Sequence, residues 1–180
     1  MIKKAKKLAP VCVLDDCSED NTLDWLLKNF IKFLKNKKNY GYEKNLINGI
    51  KKFKNYCQYI ITFDGDAQHK ISDLKKIINI KNNYDILICY RKNKNRFMEK
   101  IISITFQLFY GLKDPLSGFK VYKTEILKGK NFKKIGNYFL LDFLLLFMKK
   151  DIKVLNIEII TNRRNGMSRV GNMIEITFKE

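Results

Sequence analysis

Two pairs of acids stand out in a strongly basic chain. Tyr59-Ile60-Ile61-Thr62-Phe63, β-branched or aromatic throughout, runs straight into Asp64-Gly65-Asp66, with Gln68 and His69 close behind. Upstream, Pro10-Val11-Cys12-Val13-Leu14 runs into Asp15-Asp16. Crowded carboxylates repel one another. A hard divalent cation relieves that repulsion and keeps coordination positions open for phosphate oxygens. Asp-x-Asp after an apolar strand is therefore chemistry for a metal-bound nucleotide phosphate. The same residues also suit a solvated turn, since Asp and Gly both favour turns. His69, the single histidine, supports the loop in this reading rather than reacting.

A second chemistry begins in the same way. Phosphatases of the haloacid dehalogenase type use the first Asp of strand-Asp-x-Asp as a nucleophile. They carry Thr or Val two residues after the second Asp, where this chain has Gln68, and no convincing acidic pair follows a later apolar strand.

The elements that must position these acids follow from hydrophobic periodicity. Strands are expected at 10–14, 59–63, 85–89, 118–122 and 154–160. Helical spacing marks Thr22 to Asn36, Glu43 to Lys54, Ser72 to Ile80, Phe97 to Tyr110 and Tyr138 to Lys149, with a final helix from Asn172. Asp20, Asn21 or Thr22 would cap the first helix and Ser72 the third. Strands alternating with helices indicate an α/β fold with a mainly parallel sheet flanked by helices. In such sheets ligands bind outside the carboxyl ends of strands. Both acid pairs sit there.

Composition narrows the partners. A chain of 180 residues reads as one domain spanning 1–180, and its formal charge of +18 suggests an anionic partner. Of 36 basic residues, 31 are Lys and five are Arg, amid many Asn and Ile, a uniform bias rather than a docking surface. Arginine grips phosphate with two parallel hydrogen bonds, so the five Arg carry more information than the Lys. No helix-turn-helix, zinc-finger or RNA-recognition signature is present, and no nucleic-acid partner is expected. The four cysteines have no CxxC pair and read as buried free thiols of a reducing cytosol. The basic, then apolar, start makes a poor signal peptide. The stretch 138–148 is too short to span a bilayer and contains Asp142.

The order of motifs resembles glycosyltransferase family 2, with its nucleotide-sugar GT-A (Rossmann-like) fold, and within it the branch of dolichol-phosphate mannose synthases and polyprenyl-phosphate glycosyltransferases. Leu14-Asp15-Asp16-Cys17-Ser18-Glu19-Asp20-Asn21-Thr22 is similar to V-D-D-x-S-x-D-x-T. Gly41-Tyr42-Glu43-Lys44-Asn45 stands at the family's Gly- and Asn-rich turn. Phe63 to His69 resembles L-D-A-D-x-Q-H, and Asp114 to Lys120 resembles D-x-x-S-G-F-R. Asn162 to Arg169 resembles D-R-x-x-G-x-S-K, with Asn162 in place of the Asp.

The resemblance implies roles. Asp15 and Asp16 would contact the donor, Asp16 at its base or ribose. Asp64, Asp66 and Gln68 would hold Mg or Mn and the donor diphosphate, with Asp66 also catalytic. Arg91 and Arg163 would bind an acceptor phosphate, with Arg96, Ser117 and Ser168 as further candidates. Asp142 would be a general base for a hydroxyl acceptor, or an orienting acid for a phosphate acceptor that is already ionised. The implied partners are a nucleoside diphosphate sugar and a polyprenyl phosphate. The site would lie in the cytoplasm, peripheral to an anionic membrane at its inner face. A glycan hydroxyl in surface polysaccharide assembly is the alternative acceptor.

The pattern also departs from the family. Members open with a strand ending P-x-Y-N-E, and nothing before Pro10 reads as that motif. An N-terminally truncated sheet with a central gap is expected. The chain then reads as a rearranged transferase, as an inactive fragment, or as a non-catalytic module that a completing or membrane-anchoring partner restores.

Overall fold

The computed structural model describes residues 1–65, 68–91, 97–129 and 152–161. Its elements are α1 (Ile2–Lys6), β1 (Cys12–Asp15), α2 (Thr22–Lys28), β2 (Lys32–Lys35), α3 (Tyr42–Phe53) and β3 (Tyr59–Thr62). There follow α4 (Ile71–Ile80), β4 (Ile86–Arg91), α5 (Phe97–Tyr110), β5 (Lys120–Lys123) and β6 (Val154–Ile159). Short 3₁₀ turns lie at Lys81–Asn83 and Thr124–Leu127.

The strands form two sheets, β1-β2 and β3-β5-β4-β6. β1 pairs in parallel with β2, and β4 with β6. β5 runs antiparallel to both β3 and β4. β3 and β4 therefore point the same way, with β5 reversed between them. Their carboxyl ends meet the amino end of β5 along one edge. That arrangement builds the site.

β4 is the centre of the core, with Ile86, Leu87, Ile88 and Cys89 all at 0% exposure. Successive strand residues face opposite sides. Ile86 and Ile88 accordingly pack with Tyr122 and Phe106, and Leu87 and Cys89 with Val121 and Ile77. Each such burial is worth about 1.5–3 kcal/mol. A strand covered on both faces reads as a continuous apolar run.

β1 and β3 are different. Among the described residues each has one strand partner, and the sheet is interrupted between them. Val13, Leu14, Ile60 and Ile61 stay only half-buried. Helix α3 packs against both strands, and Asn45 on it donates to the Leu14 carbonyl at 3.0 Å.

Several sequence expectations need correction. The expected helix from Thr22 to Asn36 is helix α2 followed by strand β2. Phe30 takes a left-handed φ of 52°, Ile31 N donates to Leu26 O, and Phe30 N donates to Leu27 O. These are the two bonds of a Schellman stop, here without the usual Gly. Asp20 does donate order to the helix start, accepting from Thr22 N at 2.9 Å, but Ser72 lies inside α4, which starts at Ile71. The strand expected at 118–122 is Lys120–Lys123, and α1 was not foreseen. Of the cysteines only Cys89 is buried, and Cys57 is exposed in the turn after α3. The helices expected at 138–149 and from Asn172 lie outside the described residues.

Candidate active site

Asp64 stands two residues beyond β3 and reaches over the segment that leads into β5. Thr62 Oγ1 ties the two together: it donates to Gly118 O at 2.8 Å and accepts from Lys120 N at 3.1 Å. This draws the Gly118 Cα under the Asp64 carboxylate, where a Cβ would overlap both carboxylate oxygens. Only glycine leaves that room.

The carboxylate is held from two further sides. Tyr42 OH donates to Oδ1 at 3.0 Å, and His69 Nε2 lies 3.4 Å from Oδ2. His69 is itself buried, with ring centroids 5.2 Å from Phe63 and 5.0 Å from Phe119. Burial alone would raise the Asp64 pKa. The His69 hydrogen bond and charge, the Tyr42 hydroxyl and the Lys120 ammonium outweigh it and hold the group below its usual range. Partial burial and the adjacent Asp64 push the Tyr42 phenol upward, so it remains a donor.

Lys120 lies beneath this mouth at 1% exposure, its Nζ donating to the Ser117 carbonyl. Burial lowers its pKa to about 8 against the opposing pull of Asp114 and Asp64. Asp114, also 1% exposed, anchors the other side. It accepts from Arg91 Nε at 3.2 Å and from Arg91 N at 3.3 Å. Glu99 of α5 lies 3.8 Å from Arg91 Nη2. The Arg91 side chain remains 31% exposed at the end of β4. Ser117 is buried, and its hydroxyl accepts from Phe119 N at 3.2 Å, which shapes the turn into β5.

The upstream acids organise a neighbouring loop. Asp15 is buried and accepts from Ser18 N. Asp16 accepts from Asn36 Nδ2 at 2.8 Å, Tyr40 N at 2.9 Å and Gly41 N at 2.7 Å. Gly41 opens α3 with a φ of 85°, and Tyr42 follows directly. Asp16 thus fixes the start of the helix that delivers Tyr42 to Asp64.

The structure therefore brings Asp64, Arg91 and Ser117 to one edge, with Asp15 and Asp16 beside it through the Tyr42 loop. Gln68 is half-buried just past this loop. Asp66, Arg96, Asp142, Arg163 and Ser168 lie outside the described residues. Sequence reasoning missed Tyr42, Asp114, Gly118 and Lys120 as parts of the site. All four fall inside the quoted motifs, and Lys120 was lost by discounting lysines wholesale.

The donor set suits a hard divalent cation. Asp64 is an oxygen ligand kept anionic at a strand end, and among the described residues Oδ1 meets Tyr42 OH and Oδ2 meets His69 Nε2. Among the described residues no three His, Cys, Asp or Glu form a ready cage. Asp66 and Gln68 are the residues that would join Asp64 around a metal.

The family model for glycosyl transferase family 2 matches residues 2–155, and the chain belongs to that family. It is 31% identical to an uncharacterized protein of Methanocaldococcus jannaschii, covering 73% of this chain and 68% of that one. It is 29% identical to a dolichol-phosphate mannosyltransferase of Pyrococcus furiosus, covering 75% of this chain but only 43% of that one. Among solved structures, glucosyl-3-phosphoglycerate synthase of Mycobacterium tuberculosis is similar in fold. Its complex with Mn2+ and UDP-glucose gives a TM-score of 0.66 at 15% identity, covering 97% of this chain and 69% of that one. Its complex with Mn2+, UDP and phosphoglyceric acid gives 0.67 at 13% identity, covering 98% and 67%. These structures share the GT-A fold, whose mixed α/β layers the chain reproduces.

Proposed function

We propose that this glycosyltransferase moves a sugar, with inversion, from a nucleoside diphosphate sugar to a polyprenyl phosphate. The observation that carries the reading is one edge holding an anionic Asp64 and, on the next parallel strand, a half-exposed Arg91. The first suits a metal-bound donor diphosphate and the second an acceptor phosphate. Bound Mg or Mn, held by Asp64, Asp66 and Gln68, would neutralise charge on the departing diphosphate. An oxygen of the acceptor phosphate forms the bond to the anomeric carbon. The bond from that carbon to the diphosphate breaks, and its electron pair leaves with the nucleoside diphosphate.

The chain's own residues position these groups. Tyr42, His69 and Gly118 fix the Asp64 carboxylate. Asp114 orients the Arg91 guanidinium through Nε. Arg163, Arg96 and Ser168 would add phosphate contacts. A phosphate acceptor is ionised and needs no general base, so Asp142 orients rather than abstracts a proton. The comparisons support a phosphate-bearing acceptor by name: one relative is a dolichol-phosphate mannosyltransferase, and the fold neighbour was captured with phosphoglyceric acid. No helix among the described residues is long and apolar enough to cross a membrane. Peripheral binding to anionic lipid at the cytoplasmic face would bring the chain to its acceptor, at about 1 kcal/mol per engaged Lys or Arg.

The test is transfer of labelled sugar from a panel of nucleoside diphosphate sugars to polyprenyl phosphate, in Mn or Mg, by wild type and Asp142→Asn. Comparable turnover by both supports the phosphate acceptor. A loss of orders of magnitude in the variant, with product formed on a glycan hydroxyl, would replace it with the polysaccharide reading.

A further inference from the structure

Asn156 is out of place by composition. It stands in the middle of β6, between Leu155 and Ile157, although Asn is disfavoured in strands. Alternation puts it on the face it shares with Val154 and Glu158. Both ends of its amide are engaged there. Nδ2 donates to the Gly111 carbonyl at 2.7 Å, and Oδ1 accepts from Lys113 N at 2.9 Å. Those backbone groups lie just past α5. Gly111 stops the helix in the left-handed region, at a φ of 68°, with its N–H donating to Gln107 O. Leu112 then turns into the core and is fully buried. Gly111 O and Lys113 N flank that turn, and a planar amide can meet both because it carries a donor and an acceptor together.

The Lys113 side chain adds a second tie. Its Nζ sits 4.6 Å from the centroid of the Tyr90 ring and donates to Tyr90 OH at 3.3 Å, while Tyr90 OH donates to Glu158 Oε2 at 3.1 Å. β4 and β6 thus both grip the segment 111–113. The next residue is Asp114, whose buried carboxylate accepts from Arg91 Nε and Arg91 N.

We propose that Asn156 is a positioning residue for the acceptor phosphate: by fixing Gly111 to Lys113 it places Asp114, and through Asp114 it aims the Arg91 guanidinium. The inference rests on the acceptor role given to Arg91 above. Guanidinium recognition of phosphate is planar and directional, so it depends on where the fork points. Nε is held by Asp114, and the direction of the terminal nitrogens follows from that bond. Arg91 would hold the phosphate before and during transfer alike. Losing its aim therefore raises the acceptor KM and leaves kcat in place.

The test has one readout that needs no acceptor. In nitrogen-15 NMR the Arg91 Nε–H, assigned by its loss in Arg91→Lys, should exchange slowly with water in wild type. Asn156→Ala should speed that exchange and raise KM for polyprenyl phosphate about tenfold, with kcat and nucleoside diphosphate affinity in Mn unchanged. Asn156→Asp keeps the acceptor for Lys113 N and loses the donor to Gly111 O, so it should fall between. Leu127→Ala is the control for general destabilisation. Leu127 is buried in the same core cluster as Leu112 but lies past the far end of β5. It should lower the melting temperature and leave the Arg91 exchange and the acceptor KM as in wild type. Wild-type exchange at Arg91 in folded Asn156→Ala or Asn156→Asp overturns the proposal. So do equal effects in Leu127→Ala, or a fall in kcat at unchanged KM. A wild type that transfers to no polyprenyl phosphate counts against the acceptor reading, while the Arg91 exchange still decides whether Asn156 positions that side chain.

Discussion

Replacing Gly118 by alanine probes the geometry under Asp64 with a single methyl group. A Cβ at this position overlaps Oδ1, Oδ2 and Cγ of Asp64. Carbon and oxygen in contact settle near 3.5 Å, so the carboxylate has to retreat by about 1.5 Å. The Gly118 backbone is held by Thr62 Oγ1 at 2.8 Å and cannot give way as easily. A retreat of that size breaks the 3.0 Å bond from Tyr42 and the 3.4 Å approach of His69. Overpacking of this kind costs about 1–3 kcal/mol of stability. Disturbing the supports of a metal ligand typically weakens metal affinity about 10–100-fold. Calorimetry of nucleoside diphosphate binding in Mn should show that loss. Gly65→Ala is the internal control, because nothing lies within 4 Å of a Cβ there. It should bind like wild type, even though it sits inside the Asp-x-Asp motif. Wild-type affinity in Gly118→Ala, or equal losses in both variants, would refute the role given to the space above Gly118.

Asp16→Ala removes an acceptor shared by Asn36 Nδ2, Tyr40 N and Gly41 N. Asn36 Nδ2 still has Asn45 Oδ1 and Gly41 N still has Asn39 Oδ1, so the loss is about 1 kcal/mol for each part-buried hydrogen bond removed. Its melting temperature should fall by several degrees, and an unchanged melt would remove Asp16 as the anchor of α3. Lys120 carries a folded pKa near 8, below the value of about 10.4 for an unfolded lysine. Between those values the unfolded state binds the extra proton, so this group makes wild-type stability rise with pH. Urea melts from pH 7.5 to 10 should show that rise in wild type relative to Lys120→Met. A difference that falls or stays flat contradicts a buried, proton-poor Lys120. The half-burial of Val13, Leu14, Ile60 and Ile61 among the described residues gives the last of this group: melting should be broad, and a sharp two-state melt would argue against that.

Much of this was legible in the residues. The run 59–63 announced β3 through its β-branched and aromatic residues, and the run 85–89 announced β4, which is apolar because it is buried on both faces. Helices α3, α4 and α5 followed from their spacing. Thr22 to Asn36 misled because apolar residues at 30, 31, 33 and 34 keep helical spacing across a chain reversal. Phe30 makes that reversal with no glycine to signal it. The reversed direction of β5 left no mark, since pairing partners and not strand composition decide direction. Within the site, the acids were readable as a motif, but their supports were not. Tyr42 and Lys120 act through three-dimensional approach to Asp64, from 22 residues upstream for Tyr42 and from the neighbouring strand for Lys120.

The claim that organises all of this is that the acids after β3 hold a metal-bound nucleoside diphosphate. Titration of nucleoside diphosphate into wild type and Asp66→Ala, each with and without Mn, addresses it directly. The account predicts Mn-dependent binding by wild type that is abolished in Asp66→Ala, since Asp64 and Gln68 alone cannot hold the ion. Equal affinity in the two proteins, or binding indifferent to Mn, would contradict it.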